Sequence, residues 1–161
     1  MKMPFRTVAA AFALFAAAGA ASASSHGGGD GGKAEKMVEY RQALFTAIAY
    51  NFKPLVAQLK GEMPYDAEMF ATRAQRIGHL APMVGEGFSD PATADVDGTH
   101  AKAAIWENPE DFKEKGMAFG RAAAELAEAA QAKPASVAEM KEEVAAMGKA
   151  CKACHDDYKK D

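Results

Sequence analysis

The sequence predicts an all-α protein, an antiparallel four-helix bundle formed by a single domain. Apolar residues recur at three- and four-residue steps in four separate segments, which is the spacing that buries one face of a helix. No segment shows sustained period-two alternation rich in β-branched residues, so no strands are expected. Short turns join two pairs of these segments and one connection is long, an arrangement that helix bundles allow.

The first 23 residues have the pattern of a cleaved signal peptide. Lys2 and Arg6 give a positive start, residues 8–18 form an apolar run, and Ala21-Ser22-Ala23 matches the A-x-A pattern that signal peptidase cuts after. The run is too short to cross ~30 Å of hydrocarbon as a helix, although an uncleaved membrane anchor is the competing interpretation. We therefore expect residues 1–23 to be removed, residues 24–32 to be a flexible lead-in, and residues 33–161 to form an exported, periplasmic domain with no membrane attachment.

The charge of the chain argues against a nucleic-acid partner. The net charge is −3, and loss of Lys2 and Arg6 lowers the basic count from 19 to 17 against 22 acidic residues, which gives −5. Proteins that bind nucleic acid need a basic face, and a mildly acidic chain does not predict one.

The first helix is predicted from Lys33 to Lys60. Pro54 lies inside it and is expected to kink it or to break its hydrogen bonding locally, and Gly61 and Pro64 end it. The residues expected to form its buried stripe are Met37, Tyr40, Leu44, Ile48, Phe52 and Leu55.

The second helix is predicted to start at Asp66, a suitable N-cap, and to run to about Val84. Glycines and prolines then interrupt every pattern from Gly85 to Asn108, so this stretch is predicted to be one long connection with a short turn near residues 101–106.

The third and fourth helices have clear starts. Asn108 as a capping residue and Pro109 at the first helical position begin the third helix, which is expected to run to about Ala132. The fourth helix is expected to begin near Ser136 and to run through Cys151 to the end of the chain.

The motif that carries chemistry lies on this last helix. Cys151-Lys152-Ala153-Cys154-His155 is a C-x-x-C-H sequence, the pattern of covalent haem attachment. Two thiols one turn apart can add to the two vinyl groups of a haem, and the imidazole that follows is a good axial ligand for the iron. The motif predicts one haem c per chain, bound through Cys151 and Cys154, with His155 as the metal ligand.

The cysteine pair has three other possible interpretations. The pair could form a disulfide, a redox motif of thioredoxin type, or half of a zinc site. A zinc site would need further Cys or His nearby, and a thioredoxin-like motif belongs beside a βαβ unit, which this chain lacks. Only six residues follow His155, and none of them is Met, His or Cys, so a second axial ligand would have to come from an earlier helix.

Several short segments give the sequence a close resemblance to cytochrome c′, the class II c-type cytochromes of bacterial periplasms. They are Tyr40-Arg41-Gln42, Pro64-Tyr65-Asp66-Ala67, Ile105-Trp106, Phe112-Lys113 and Cys151-Lys152-Ala153-Cys154-His155-Asp156. The resemblance covers essentially the whole mature chain. It implies an antiparallel four-helix bundle with a high-spin, five-coordinate haem, usually in a homodimer.

The resemblance also implies roles for single residues. Phe45 occupies the position that faces the vacant iron site, where low-spin relatives have a methionine ligand, and ordinary core packing is the alternative for it. Arg41 and the adjacent Gln42 become candidate haem contacts, with the Arg41 guanidinium near a propionate or, alternatively, solvated on the helix surface. Lys159 stands where the family often has an arginine beside the proximal imidazole, or else it is simply solvated.

The remaining methionines and histidines are expected to have other roles. Met140 and Met147 are predicted to fill the core around the haem, and Met37 is the only serious rival as an axial ligand. His26, His79 and His100 are expected to be solvated, and Trp106 to pack the long connection onto the bundle.

The function that the resemblance implies is binding of NO and CO at an open iron site, with nitric oxide protection and electron transfer as roles. Redox partner proteins are not identified. The alternative is a plain low-spin, six-coordinate electron carrier. An enzyme is not expected, because no distal acid–base pair is evident in the sequence.

Overall fold

The structure is a computed structural model that describes residues 30–160. It contains five α-helices: α1 (Asp30–Leu59), α2 (Ala67–Leu80), α3 (Ala104–Glu107), α4 (Pro109–Gln131) and α5 (Lys141–Tyr158). Three 3-10 helices cover Ala81–Phe88, Pro91–Ala94 and Val137–Met140. The four longest helices form the predicted antiparallel bundle, and within residues 30–160 there is no strand, only an isolated bridge between Ala101 and Lys159.

The predicted helix bounds are largely confirmed, with corrections at three places. α1 begins at Asp30, so the last three residues of the predicted flexible lead-in are helical, and the signal peptide and residues 24–29 lie outside the described residues. α2 ends at Leu80 rather than Val84 because the chain tightens there into the 3-10 helix Ala81–Phe88. The long connection is therefore mostly ordered into short helices, with α3 close to the predicted turn.

Pro54 does not interrupt α1, which continues to Leu59. Proline has no N–H, so the carbonyl of Tyr50, four residues earlier, loses its normal helical partner. Arg73 of α2 replaces it, with Nη1 donating to the Tyr50 carbonyl at 3.1 Å and the guanidinium lying 5.2 Å from the centre of the Tyr50 ring. A side chain from the neighbouring helix thus satisfies the carbonyl that the proline leaves free.

Of the two predicted N-caps, the structure confirms Asp66 but not the cap bond of Asn108. Asp66 caps α2 by accepting from the backbone N–H of Met69 at 2.9 Å, and Ser136 forms a capping box with Glu139. Asn108 occupies the N-cap position of α4, but its side chain makes no cap bond and donates to the Ala104 carbonyl at the end of α3 instead. The preceding short helix competes for this amide, which local sequence does not reveal.

The core is built from all four long helices. α2 packs against α1 and α4, and α4 also packs against α5. The fully buried residues include Leu55, Phe70, Ile77, Leu126 and Met147. A second, smaller buried cluster lies where α3 and the end of α5 meet, and it consists of Ala101, Ile105 and Tyr158 with the partly buried Phe88, Ala104, Trp106, Phe112 and Cys154 packed around it. The site described next opens between the two clusters.

None of the helices in residues 30–160 is both long enough and apolar enough to cross a membrane.

Candidate cofactor-binding site

A cavity of about 540 Å³ lies between α1, α4, α5 and the connection that follows α2. Its volume falls in the range of protein sites for organic ligands, and its lining is mainly apolar. Cys151, Cys154 and His155 line it from α5, and Phe45 lines it from α1. The structure thus brings together, around one cavity, all three residues of the C-x-x-C-H motif and Phe45, the α1 residue predicted to face the vacant iron site.

The two thiols are half-buried and are not joined to each other. Burial in the apolar cavity raises the pKa of Cys151, and it raises the pKa of Cys154 to about 11. Both groups are therefore neutral near pH 7, in contrast to the low-pKa cysteine of a thioredoxin-type motif. Residues 30–160 also contain no group of three or more His, Cys, Asp or Glu side chains that could hold a metal ion.

His155 lies on the last turn of α5, and it lines the cavity although the residue as a whole is exposed. Burial lowers its pKa, the positive charge of Lys159 lowers it further, and Asp156 acts in the opposite direction. A neutral imidazole has the free lone pair that haem iron requires. The donor set of two thiols and one neutral imidazole on one wall of a large apolar cavity fits a covalently attached haem.

Arg41 is 3% exposed and also lines the cavity. Its Nη1 donates to the Gly87 carbonyl at 3.1 Å and to Thr93 Oγ1 at 2.8 Å, while its Nη2 donates to the Thr93 carbonyl at 3.3 Å and to Thr99 Oγ1. Arg41 is therefore not a solvated surface charge. It fixes the connection between α2 and α3 onto α1, and burial lowers its pKa without a carboxylate partner among the described ion pairs.

The close fit around Arg41 explains a glycine in the connection. A Cβ built on Gly87 would lie 2.5 Å from the Cβ of Arg41, which is too close for two carbon atoms that are not bonded. Gly87 thus lets the connection approach α1 closely enough for its carbonyl to accept from the guanidinium.

Gln42 lines the cavity beside Arg41, and its Nε2 donates to the Gly98 carbonyl at 2.9 Å. Thr46, one turn further along α1, donates its hydroxyl to the Gln42 carbonyl at 2.8 Å. Gln42 and Thr46 thus each donate one hydrogen bond to a backbone carbonyl at this wall of the cavity.

The structure adds aromatic and histidine residues to the site that the sequence did not assign to it. Phe88 and Phe112 line the cavity, with Phe88 in edge-to-face contact with both Phe45 at 6.2 Å and Phe112 at 4.9 Å between ring centres. His100 was expected to be simply solvated, but although exposed it borders the cavity. No local pattern could have found Phe88 and His100, because the irregular connection brings them to the site.

Three further expectations about the site have definite outcomes. Met140 and Met147 are buried in the main core as predicted, but neither lines the cavity. Met37 does not line it either, and its Sδ lies 3.7 Å from the hydroxyl of Ser89. Trp106 does attach the connection to its surroundings, since its Nε1 donates to the Phe88 carbonyl at 3.0 Å.

The end of α5 is fixed to the connection by backbone pairing. Lys102 N donates to the Tyr158 carbonyl at 2.9 Å and Lys160 N donates to the His100 carbonyl at 2.8 Å, on either side of the bridge between Ala101 and Lys159. Lys159 lines the cavity within this pairing. Its amino group donates to the Lys160 carbonyl at 3.2 Å, and its charge acts on His155.

Comparison with known proteins agrees with this geometry. The family model described as Cytochrome C' matches residues 36–159. A cytochrome c′ of Cereibacter sphaeroides is 44% identical over 131 residues, which covers 78% of this chain and 84% of that protein.

Two solved structures share the fold. Cytochrome c prime from Shewanella frigidimarina has a TM-score of 0.73 and 45% identity, over 80% of this chain and 97% of that one. A nitric oxide complex of a mutant of cytochrome c prime from Alcaligenes xylosoxidans has a TM-score of 0.70 and 31% identity, over 80% and 97% of the two chains.

The family model covers most of the chain, and the cavity contains the thiols and the imidazole that covalent attachment needs. The chain therefore belongs to the cytochrome c′ family, whose members carry covalently attached haem c.

Proposed function

We propose that this chain is an exported gas-binding cytochrome in which His155 is the only protein ligand of the haem iron. In this proposal Cys151 and Cys154 hold the haem through thioether bonds, and NO and CO bind on the face opposite the imidazole. One observation carries the proposal. α1 contributes Phe45 to the cavity that His155 lines, and no methionine is found among the described lining residues.

Phe45 decides the coordination number in this proposal. A phenyl ring has no lone pair to donate, so Phe45 shapes the iron's second axial position without filling it. In the alternative, the low-spin electron carrier, a methionine would occupy that position. Met37 was the rival ligand, and its contact with Ser89 outside the cavity lining gives that alternative no support.

The polarity of the α1 wall favours NO and CO over dioxygen. Bound dioxygen gains from a hydrogen-bond donor in the distal pocket, whereas NO and CO need none. Gln42 and Thr46 line the cavity, but each already donates to a backbone carbonyl. The nitric oxide complex of the related Alcaligenes protein agrees with this preference.

Arg41 supplies positive charge for a haem propionate, but its existing hydrogen bonds limit how many it can donate to that group. A guanidinium has five N–H donors, and the four on Nη1 and Nη2 are directed at Gly87, Thr93 and Thr99. Only Nε–H remains free for a propionate, so the two-pronged pairing typical of arginine and carboxylate is not available without releasing the connection. We propose that Arg41 acts on the propionate mainly through its buried charge.

Lys159 and Gln42 have lesser roles in the proposal. Lys159 keeps positive charge beside His155, which favours the neutral imidazole. Gln42 holds the connection at Gly98 and so fixes one wall of the cavity.

The optical spectrum of the haem protein tests the proposal directly. We expect a high-spin ferrous spectrum that changes when CO or NO is added. Replacing Phe45 by methionine offers the iron a thioether ligand, so Phe45→Met should become low-spin and lose its response to CO. Phe52→Met is the matched control, because Phe52 lies on the same helix but packs against the core and does not line the cavity.

Two outcomes would count against the proposal. A low-spin wild-type protein that ignores CO would show that another residue ligates the iron. An unchanged spectrum in Phe45→Met, in a protein that still carries haem, would show that Phe45 does not face the iron.

The proposal extends to location and assembly. We infer export to the periplasm with removal of residues 1–23. N-terminal sequencing of the mature protein tests this inference, and we expect the mature chain to start at Ser24.

We also infer a homodimer with contacts on α1 and α2, where Tyr50 is 67% exposed. Light scattering measures the mass of the particle in solution and so tests the dimer. Nitric oxide protection and electron transfer to unidentified redox proteins are the roles that these properties would serve.

A further inference from the structure

Tyr158 lies at the haem-attachment end of the chain and is held by contacts with α4. It ends α5 three residues after His155, is 5% exposed, and lines the same cavity as Cys154 and His155. Its hydroxyl donates to a carboxylate oxygen of Asp111, at the start of α4. Its ring meets Phe112 edge-to-face at 5.2 Å between centres.

The carboxylate beside the phenol is itself held in place. Lys115 forms an ion pair with Asp111 at 2.6 Å and a second one with Asp157 at 3.3 Å, and its amino group lies 5.6 Å from the centre of the Tyr158 ring. Asp111 is exposed, so its outer side is in contact with water. The phenol is thus on the cavity side and its hydrogen-bond acceptor on the solvent side.

The other tyrosines lack this combination. Tyr40 donates to the carboxylate of Glu86 at 3.1 Å but does not line the cavity. Tyr65 donates to the Pro134 carbonyl, which cannot accept a proton as a base, and Tyr50 is largely exposed. Only Tyr158 has both a place at the cavity and a carboxylate partner.

We propose that Tyr158 is a redox-active residue. After the haem has reacted with a hydroperoxide, Tyr158 gives one electron to the oxidised cofactor, and the phenolic proton of Tyr158 moves to Asp111. The proposal rests on the placement of the haem in this cavity under the proposed function. It assigns to Tyr158 the task of removing an oxidising equivalent from the cofactor.

The step is balanced in electrons and protons. The O–H bond of Tyr158 breaks, the electron passes to the cofactor, and the proton forms a new bond to an Asp111 oxygen, which leaves a neutral phenoxyl radical and a carboxylic acid. Reduction of one hydrogen peroxide to two waters takes two electrons and two protons. Over the full cycle a one-electron donor supplies both electrons and solvent supplies both protons, so Tyr158 and Asp111 return to their starting states.

The geometry favours this route for two physical reasons. Loss of an electron makes a phenol a strong acid, so oxidation is easier when a base already accepts its hydrogen bond, and a preformed hydrogen bond puts the proton within transfer distance. The low exposure of the ring also keeps solvent away from the radical. The oxidising equivalent is thereby moved from the haem to a side chain that is tied to an exposed carboxylate.

The experiment treats the ferric, haem-loaded protein with hydrogen peroxide and detects radicals by freeze-quench electron paramagnetic resonance. A nitroso spin trap followed by peptide mass spectrometry gives the position of the radical. We expect a tyrosyl radical whose trap adduct lies on Tyr158, loss of that adduct in Tyr158→Phe, and a reduced yield in Asp111→Asn. Tyr40→Phe is the matched control, since it removes a tyrosine–carboxylate pair outside the cavity, and it should leave the adduct unchanged.

A protective role makes a second measurement informative. Without Tyr158 the oxidising equivalent stays on the cofactor, so peroxide should bleach the haem absorbance faster in Tyr158→Phe than in Tyr40→Phe. Equal bleaching rates would overturn the protective role.

The results also separate this proposal from the one on which it rests. If the haem peptide does not contain Cys151 and Cys154, the proposed haem placement fails. If it does, but the adduct lies on another tyrosine or none forms, then Tyr158 is not the redox-active residue. An adduct on Tyr158 whose yield is the same in Asp111→Asn would overturn the proton transfer to Asp111.

Discussion

Replacement of Arg41 by methionine tests whether one guanidinium holds the connection between α2 and α3, which forms one side of the cavity, against α1. Methionine has a similar length but no donors, so it removes the four hydrogen bonds to Gly87, Thr93 and Thr99. The change leaves the helical residues of the bundle core in place, because Arg41 contacts the connection through these bonds rather than through the main core.

The expected cost follows from the acceptors that would be left behind. The carbonyls of Gly87 and Thr93 would lose their buried donors, at about 1–3 kcal/mol each. The hydroxyl of Thr93 already donates to the Asp90 carbonyl at 2.7 Å, so it keeps one partner. The substitution also removes a buried positive charge and with it the cost of desolvating that charge, which offsets part of the loss. We therefore expect Arg41→Met to lower the free energy of unfolding by about 3 kcal/mol.

Denaturant unfolding of the haem-loaded protein gives this free energy, and hydrogen exchange locates the effect. The backbone N–H groups of Thr93 and Thr99 donate to the carbonyls of Asp90 and Val96, both at 3.1 Å, and they should exchange faster in the variant. Gln42→Met is the control, since it removes one exposed hydrogen bond to the same connection and should cost only about 0.5 kcal/mol. A loss in Arg41→Met no larger than in the control, or unchanged exchange at Thr93 and Thr99, would refute the reasoning.

Two further predictions concern Tyr158 and Pro54. The hydrogen bond to Asp111 raises the pKa of Tyr158 to about 12, above the value of about 10 in the unfolded chain, so its stabilisation is complete below pH 10 and lost as pH rises towards 12. Ultraviolet titration should show one tyrosine ionising near pH 12, and this value should fall towards 10 in Asp111→Asn; no late-ionising tyrosine in the wild type would contradict the contact. Arg73→Met should cost about 1 kcal/mol in denaturant unfolding because the Tyr50 carbonyl loses its donor, and should cost less in a Pro54→Ala background, where the restored N–H takes that carbonyl. Equal costs in both backgrounds would show that Arg73 does not replace the proline's missing donor.

The parts of the fold that were predictable from the sequence are those with local causes. The apolar stripes, the Asp66 cap and the start of α4 at Pro109 depend on residues within one or two turns, and the structure has these helices close to the predicted bounds. The C-x-x-C-H motif lies within five consecutive residues on one helix, so its joint presence in one cavity follows from its spacing.

The remainder of the site depends on residues that are distant in sequence. Arg41 reaches partners 46 to 58 residues away, and Tyr158 reaches Asp111 across 47 residues. Neither contact leaves a periodic pattern in the sequence. Arg41 bonds to a connection made of short 3-10 helices and turns, and Tyr158 joins the end of α5 to Asp111 at the start of α4. The sequence therefore indicated a role for Arg41 at the haem, but not that the N–H groups on Nη1 and Nη2 of its guanidinium already donate to the connection.

The connection is attached to α1 through Arg41, Gln42 and Tyr40. It forms a wall of the cavity, whereas the four long helices form the core of the bundle. The four long helices bury their own core. Residues 85–99 are bonded to α1 by the side chains of Tyr40, Arg41 and Gln42, and Phe88 adds a ring contact with Phe45. Changes in the length or composition of this connection can therefore alter the shape and access of the ligand pocket without repacking the helices. Under the proposed function, substitutions in this segment would adjust which small molecules reach the iron, while the fold that holds the haem stays the same.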